Sequence, residues 1–397
     1  MPNPPGAANT DDYNDNNNWT PAAAPVLAGQ AFFDAAGSST VSLTSGAVTP
    51  DSWTFNANSQ SYSISGDNVN FGIGLTNNAS AGQFVGITNI IGGAGAAVQQ
   101  LGASTLILAG ANTYGGGTLI SAGTLQANNG SAVGTSAVVL DGGTFQAGGI
   151  VGLTFTNNFF VNATGGTIDA NGIALELSGD INGAGTLTIT DSSFSFSTVV
   201  LSGNNGGLTG LNVTGARVQA ITSDSLAGSM VTLDNGAIQA GAAGLAAFFQ
   251  DFKLNTGGGI LDSNGNTWSI AGTISDGNGP GALQIVDTAG GGGVTELAGT
   301  NTYTGGTTVI GTTLQVTNSA SVGTGTVTLD NAVLRTDSIS DVTLANSFKI
   351  NSTAGGGTFA GGGTEYEGYW CKNPGIGRCD TAAESGDDLW RTLFIWR

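Results

Sequence analysis

Acidic side chains come closest to a catalytic pattern in this sequence. Asp141, Asp234 and Asp330 occupy one equivalent position in three similar segments of the chain. Two carboxylates about 5–10 Å apart can act as acid and base, or as acid and nucleophile, in the cleavage of a glycosidic bond. Each of these residues is followed by Gly or Asn, which favours a role in a turn. A carboxylate-pair enzyme therefore stays as an alternative hypothesis only.

Other catalytic and ligand-binding chemistry finds little support in the residue types. The chain contains no histidine, which removes the usual general base, the Ser-His-Asp triad and His-ligated metals. Cys371 and Cys379 could close a small disulfide loop, but two thiols without histidine do not make a zinc site. Asp and Asn side chains at turns leave calcium binding open. We predict no catalytic, cofactor-binding or metal-binding residues, no cofactor and no enzymatic activity.

Composition and charge narrow both the fold and the partners. The 397 residues include 68 Gly, and only 9% are charged, which favours short strands and tight turns over long helices. The formal net charge is −19, from 27 acidic and 8 basic side chains. A nucleic-acid partner needs clustered Lys and Arg to displace counterions from phosphate. We therefore predict that the chain binds neither nucleic acid nor an anionic membrane surface.

The acidic column belongs to a repeat. The segment at 297–315 reads LAGTNTYTGGTTVIGTTLQ, and the segment at 108–126 reads LAGANTYGGGTLISAGTLQ, with 12 of 19 positions identical. A more degenerate copy lies at 201–219. Such recurrence is the signature of a repeat architecture. The residues that define the repeat are Leu108, Asn112, Tyr114, Gly116, Gly117, Leu125, Gln126, Leu297, Asn301, Tyr303, Gly305, Gly306, Leu314 and Gln315.

Equivalent positions recur after 93 and then 96 residues, so each superrepeat covers about 95 residues. The offset of 93 also links Asp169 with Asp262 and Asn171-Gly172 with Asn264-Gly265. The repeat blocks lie near 108–146, 201–240 and 297–336.

A shorter step predicts the fold. Leu125 leads to Phe145, Val218 to Ile238 and Leu314 to Leu334, each 20 residues later. That length suits one coil of a parallel β-helix, in which alternate side chains point inward. The apolar burial within one coil does not offset the conformational entropy that the coil loses on folding, so the coils must stack. We predict an all-β parallel β-helix, or β-solenoid, with short strands and Gly/Asn-rich turns. Within the repeat, we expect Asn301, Gly305 and Gly306 to form turns, Leu314 to lie in the core and Gln315 to face outward.

Three segments complete the predicted organisation. Residues 1–25 are polar, carry no signal-peptide pattern and are expected to form a flexible leader, and 26–363 form the β-helix. Residues 364–397 have another composition, with both Cys and four of the eight basic residues. Two interpretations of this irregular tail stay open: a genuine cap, or a frame-shifted or truncated end, which the change of composition favours.

The 108–126 and 297–315 segments resemble the passenger-associated β-strand repeat of bacterial autotransporters, the proteins of type V secretion. The shared pattern is L-x-G-x-N-T-Y-x-G-G-T, followed by G-T-L-Q in the first segment and T-T-L-Q in the second. The resemblance implies a right-handed β-helix, exposed at or released from the surface of a Gram-negative bacterium. It also implies linkage, in the full-length protein, to an outer-membrane β-barrel that is absent here.

The resemblance points to a surface-exposed, non-catalytic passenger stalk that serves adhesion, aggregation or structural display. Expected partners are host-surface ligands, glycans or other copies of the chain, and we expect the chain itself to be a monomer. Two alternatives stay open: a carbohydrate-active β-helix enzyme that uses a carboxylate pair, and a pure structural spacer.

Overall fold

The computed structural model describes residues 11–19, 24–149, 152–226, 228, 230–241, 247–337, 342–351, 356–360 and, for the backbone only, 390–394. The chain divides into two compact units, unit 1 with residues 1–199 and 203–209, and unit 2 with residues 200–202 and 210–397. Each unit is a right-handed parallel β-helix. The two 3-10 turns of the described chain are Asn16–Asn18 and Ser223–Ser225. None of the described helices has the length and apolarity needed to cross a membrane.

The strands of unit 1 are short, as the spacing of apolar residues predicts. They are β1 (Gln30–Phe33), β2 (Thr40–Leu43), β3 (Ser52–Phe55), β4 (Tyr62–Gly66), β5 (Val69–Asn70), β6 (Gly74–Asn77), β7 (Phe84–Ile87), β8 (Ile91–Gly92), β9 (Ala97–Gln100), β10 (Thr105–Leu108), β11 (Thr118–Ile120), β12 (Thr124–Ala127), β13 (Val138–Leu140), β14 (Thr144–Ala147), β15 (Leu153–Phe155), β16 (Phe159–Val161), β17 (Gly166–Asp169), β18 (Leu175–Leu177) and β19 (Ile181–Thr190).

Two further strands, β20 (Thr198–Leu201) and β21 (Leu208–Thr214), include residues of both units. Unit 2 continues with β22 (Arg217–Ala220), β23 (Met230–Asp234), β24 (Gly236–Ala240), β25 (Asp251–Leu254), β26 (Gly259–Asp262), β27 (Thr267–Ile270), β28 (Ile274–Asp276), β29 (Leu283–Val286), β30 (Val294–Leu297), β31 (Thr307–Ile310), β32 (Thr313–Val316), β33 (Val327–Asp330), β34 (Ala332–Thr336), β35 (Thr343–Ile350), β36 (Gly357–Ala360) and β37 (Trp390–Phe394).

Stacked coils form long parallel ladders in each unit. In unit 1, β2, β4, β7, β10, β12, β14 and β17 stack in that order, while β1, β3, β6, β9, β11, β13 and β16 stack in a second ladder. Strand β19 belongs to both, because Ile181 pairs with β16 and Leu187 pairs with β17. In unit 2, the ladder of β22, β24, β26, β29, β31, β33 and β35 is parallel, and β37 adds an antiparallel strand to β35.

The register confirms the coil length that the sequence predicts. Leu125 pairs directly with Phe145, Val218 with Ile238 and Leu314 with Leu334. Because each pair stacks one inward side chain on another, the core within each unit is a column of stacked side chains rather than separate clusters. Inward apolar side chains such as these are fully buried, and each contributes about 1.5–3 kcal/mol relative to an exposed position.

Residues 11–19, the described part of the predicted leader that precedes position 20, pack against the first coils of the β-helix. Tyr13 and Trp19 are buried, and their rings pack against each other. The Tyr13 ring also packs against Trp53, and the Trp19 ring packs against Phe33. The Trp53 Nε1–H donates to Tyr13 Oη at 2.9 Å, and the Trp19 Nε1–H donates to the Tyr13 carbonyl at 2.9 Å. Residues 11–19 thus cover the first aromatic layer of the core. Most of the predicted tail, including Cys371 and Cys379, lies outside the described residues.

Candidate functional site

The repeat residues occupy three kinds of position, of which the core is the first. Leu108, Leu125, Leu297 and Leu314 are fully buried on inward strand positions. They fill the column described above and leave no apolar surface for a ligand.

The Asn of the repeat is buried and bonds the backbone of two other coils. Asn301 is only 2% exposed, and its Oδ1 accepts the backbone N–H of Ile274 at 2.7 Å while its Nδ2 donates to the carbonyl of Ser321. Asn112 makes the same two bonds, to Ile91 N–H at 2.8 Å and to the Ala132 carbonyl at 2.6 Å. Each amide therefore links the coil before it to the coil after it, and satisfies backbone groups that would be costly to bury unpaired.

The degenerate copy at 201–219 keeps the first of these two bonds, the one to the preceding coil. Asn205 is 1% exposed, and its Oδ1 accepts the N–H of Ile181 at 2.7 Å. The side-chain role therefore persists where the surrounding sequence has diverged.

The Tyr of the repeat is also structural. The Oη of Tyr303 lies 2.6 Å from Thr307 Oγ1, and that Oγ1 donates to the Val322 carbonyl at 3.1 Å. The Thr307 hydroxyl has one hydrogen and donates it to the carbonyl, so Tyr303 must be the donor to Thr307. Tyr114 lies 2.6 Å from Thr118 Oγ1 in the same arrangement. Burial raises the pKa of both tyrosines well above the ordinary value.

The paired glycines allow the coil to turn close to its neighbour. Gly117 and Gly306 adopt φ of +88° and +90°, a region that L side chains rarely enter. At Gly116 and Gly305, a Cβ would approach the previous coil's backbone within 2.6 Å and 2.5 Å.

The two Gln residues lie on half-buried outward positions. Gln315 donates to a carboxylate oxygen of Glu296 and accepts from Arg335 Nε at 2.9 Å, so it joins three successive coils on the outer surface. Gln126 lies opposite Gln146 in the register of β12 and β14.

The column of Asp141, Asp234 and Asp330 is not brought together as a catalytic pair. Asp141 accepts from Thr164, Asp234 accepts the N–H of Gly257 at 3.1 Å, and Asp330 accepts from Asn351 Nδ2 at 2.9 Å. Each carboxylate thus bonds a neutral group of the following coil, as a turn residue does.

Two other carboxylate pairs are brought together. We define corner 1 as Asp169 and Asp191, and corner 2 as Asp262 and Asp287. In corner 1 the N–H of Ser192 donates to Asp169 Oδ1 at 2.9 Å, and the N–H of Gly172 donates to Asp191 Oδ1 at 2.8 Å. Each aspartate therefore accepts a backbone N–H from the turn that contains the other aspartate. The two carboxylates thus share one corner of two adjacent coils.

Corner 2 repeats this arrangement. The N–H of Thr288 donates to Asp262 Oδ1 at 3.0 Å, and the N–H of Gly265 donates to Asp287 Oδ1 at 2.6 Å. A Gln of the preceding coil also bonds each inner aspartate, Gln146 to Asp169 at 2.8 Å and Gln239 to Asp262 at 2.7 Å. The offset of 93 marks the inner aspartates of both corners in the sequence, whereas nothing in the sequence marks Asp191 and Asp287 as their partners.

The electrostatics of the corners do not suit a general acid. Burial raises the pKa of the Asp191 carboxyl, but hydrogen bonds from Ser197, Ser193, Gly172 and Ser195 outweigh it and bring the pKa far below the ordinary value. At Asp287, too, burial raises the pKa of the carboxyl. Hydrogen bonds from backbone N–H groups, chiefly those of Gly293 and Gly265, outweigh the effect of burial, and the pKa is lowered. A catalytic acid needs the opposite displacement, toward neutral pH.

A metal ion would compete with these donors. The Asp191 oxygens already accept five hydrogen bonds, from Gly172, Ser193 N–H, Ser193 Oγ, Ser195 Oγ and Ser197. Among the residues that the structure describes, no group of three or more His, Cys, Asp or Glu side chains is arranged to hold a metal.

The outer aspartate of each corner opens a seven-residue loop. The 191–197 loop presents Phe194, whose side chain is 93% exposed, while the equivalent 287–293 loop has Gly290 at that position. Phe194 is the most exposed of the large hydrophobic side chains among the described residues, and it offers its ring to a partner.

Comparisons with known proteins agree with the repeat. The family model described as the passenger-associated-transport-repeat matches residues 98–127 and 288–316, which contain the whole of the segments at 108–126 and 297–315. The adhesin BmaC autotransporter of Brucella suis biovar 1 (strain 1330) is 34% identical over 130 residues, which are 28% of this chain and 4% of that protein. The chain thus spans a small fraction of the length of this relative. No solved structure matches the chain. Residues 98–127 and 288–316 are therefore passenger-associated-transport-repeats, and the β-helical coils that contain them form a passenger repeat region of the autotransporter type.

Proposed function

We propose that this chain is part of a non-catalytic autotransporter passenger that acts as an adhesive or aggregating stalk at the cell surface, or after release from it. The observation that carries the proposal is the occurrence of two passenger-associated-transport-repeats within parallel β-helical coils. A relative that matches part of the chain is named an adhesin, which supports adhesion over other passenger roles.

The mechanism is passive. Buried Asn bridges and Tyr–Thr pairs hold the repeat coils to their neighbours, and the corners anchor outward loops by several hydrogen bonds each. Loops fixed in this way lose little conformational entropy when they bind, which favours affinity. In the full-length protein an outer-membrane β-barrel would anchor the stalk. Host-surface molecules, glycans or further copies of the chain would meet its outward loops.

Adhesion is tested with the purified chain on fluorescent beads. Retention of the beads on cultured animal cells, and clumping of beads with one another, should exceed that of beads coated with an acidic protein of similar size. Retention equal to this control, together with no clumping, would reject an adhesive or aggregating role and leave the spacer alternative in place.

The carbohydrate-active alternative is tested separately. The carboxylates of corners 1 and 2 are the residues that such an enzyme would use, although hydrogen bonds lower the pKa of Asp191 and Asp287, away from the range of a catalytic acid. We expect no release of reducing ends from neutral or acidic glycans. Turnover that an Asp169→Asn or Asp262→Asn change abolishes would instead establish the enzyme.

A further inference from the structure

The 191–197 and 287–293 loops share one scaffold but present different residues. Asp191 accepts the N–H of Gly172 at 2.8 Å and of Ser197 at 2.7 Å. Asp287 accepts from the equivalent positions, the N–H of Gly265 at 2.6 Å and of Gly293 at 2.8 Å. Both loops are therefore closed by the same pair of contacts, one to the preceding coil and one across the loop.

The backbone conformations show what differs. Phe194 and Phe196 both have φ of +58°, and the residues that occupy these positions in the second loop are Gly290 and Gly292, with φ of +66° and +79°. A left-handed backbone costs a non-glycine residue about 1–2 kcal/mol, whereas Gly adopts it freely. The 287–293 loop shows that Gly serves this scaffold, so folding alone does not explain a phenylalanine at position 194.

The loop holds its exposed ring on a fixed base. Phe194 is 93% exposed, whereas Asp191 at the base of the loop is 3% exposed. The hydroxyls of Ser193 and Ser195 bond the Asp191 carboxylate at 2.7 Å and 3.0 Å, and the Phe194 N–H donates to the Asp191 carbonyl at 3.1 Å. Strained residues that the surrounding hydrogen bonds hold in place are typical of binding sites.

Charge indicates the kind of partner. The residues of unit 1 include eleven Asp and Glu side chains and no Lys, Arg or His. A uniformly negative unit attracts cationic surfaces and repels anionic ones. The face of an aromatic ring adds a second, local attraction for a Lys or Arg head group.

We propose that the 191–197 loop is a contact loop whose Phe194 ring receives a Lys or Arg side chain of a basic polypeptide segment. This inference rests on the proposed adhesive function, and it names the chemistry of the partner. The negative charge of unit 1 brings the basic segment to the surface. The ring then selects a cationic side chain by contact at its face.

The test measures binding of two labelled peptides to the full chain at low salt, one of alternating Lys and Gly and the other of alternating Gln and Gly. Phe194→Leu keeps apolar bulk but removes the aromatic face. It should weaken binding of the Lys peptide about two- to five-fold, the factor of an exposed cation–π contact. Phe84→Leu is the matched control, because Phe84 is a half-exposed phenylalanine of the same unit, and it should leave binding unchanged.

Two results would overturn the inference: equal affinity of wild type and Phe194→Leu for the Lys peptide, or equal affinity of wild type for both peptides. The bead assay separates this failure from that of the adhesive function. Wild-type beads that adhere no better than Phe194→Leu beads would reject the contact loop and leave adhesion standing. Wild-type beads that do not adhere at all would reject the adhesive function, while the peptide comparison would still decide the inference.

Discussion

The Oδ1 atom of Asn301 accepts a 2.7 Å hydrogen bond from the backbone N–H of Ile274, 27 residues earlier in the chain. The same amide donates to the carbonyl of Ser321 in the following coil. Asn301 lies between β30 and β31, and its side chain there bonds the backbone of the coil before it and of the coil after it. The residue is only 2% exposed.

We predict that Asn301→Ala lowers the free energy of unfolding by about 2–4 kcal/mol, because a buried N–H and a buried carbonyl both lose their partner. The midpoint of urea unfolding measures the effect. Thr300→Ala is the matched control: Thr300 is exposed, and the equivalent residue of the first repeat is Ala111. A loss no larger than in this control would show that water replaces the amide without penalty.

The buried tyrosines make the fold sensitive to alkali. Burial raises the pKa of Tyr303 in the folded state above the unfolded value of about 10. The stabilisation that follows is fully present below pH 10 and is lost as the pH rises toward the folded pKa.

Tyr303→Phe should therefore cost about 1 kcal/mol at pH 7, where the hydrogen bond to Thr307 is lost, and should lose less stability than wild type between pH 10 and 12. Urea midpoints over this range measure both effects. Parallel alkaline losses in the two proteins would contradict the assignment to Tyr303.

Acid should weaken corner 1 for the opposite reason. The pKa of Asp191 is lowered in the folded state, so its carboxylate stabilises the fold above the unfolded value of about 4, and this contribution is lost as the pH falls below it. Asp191→Asn places an N–H donor where Ser197 N–H already donates, and should cost about 2 kcal/mol at pH 7.

The gap in urea midpoint between wild type and Asp191→Asn should narrow as the pH falls from 7 to 3. Asp251→Asn is the control, since its exposed carboxylate accepts one hydrogen bond, from Thr273 N–H at 2.8 Å, and it should cost less. A gap that stays constant with pH would contradict the role given to the Asp191 charge.

The periodic part of this fold is predictable from the sequence, because a coil places residues about 20 apart in direct register. Leu125 and Phe145 are one such pair. The role of Asn301 is not predictable in the same way, since an Asn beside glycines is typical of turns and its partners lie 20 and 27 residues away.

The pairing of aspartates at corners 1 and 2 is not predictable from the sequence either. Asp169 and Asp262 share the 93-residue offset, but their outer partners, Asp191 and Asp287, are 96 residues apart and lie in loops of different sequence. Backbone N–H groups supply the contacts that link the two aspartates of each corner, and a backbone group leaves no trace in residue type. The column of Asp141, Asp234 and Asp330 carried the clearer sequence signal, yet each of the three bonds a neutral group.

The aromatic layer at residues 11–19 gives a further prediction. Trp19 is 5% exposed, packs edge-on against Tyr13 and Phe33, and donates to the Tyr13 carbonyl at 2.9 Å. Trp19→Ala should lower the free energy of unfolding by about 3–5 kcal/mol, as large-to-small changes in a core do. Leu27→Ala, at a residue that is 78% exposed, should change it by less than about 0.5 kcal/mol. Similar urea midpoints for the two variants would mean that residues 11–19 are the flexible leader that their composition predicts.

The two loops allow the strain at Phe194 to be measured apart from binding. Phe194→Gly removes a left-handed phenylalanine, which relieves about 1–2 kcal/mol, and adds backbone freedom to the unfolded chain, which costs about 0.4–1 kcal/mol. We expect unchanged or slightly raised stability, by about 1.5 kcal/mol at most. Gly290→Phe is the reverse change on the same scaffold, and a Cβ there would meet no atom within 4 Å. The variant should therefore lose the strain, about 1–2 kcal/mol, less the about 0.4–1 kcal/mol gained from a less flexible unfolded chain. Urea midpoints of both variants decide the matter. A Phe194→Gly protein that is clearly less stable than wild type would show that the ring packs against the fold, and the phenylalanine would then need no partner to account for it.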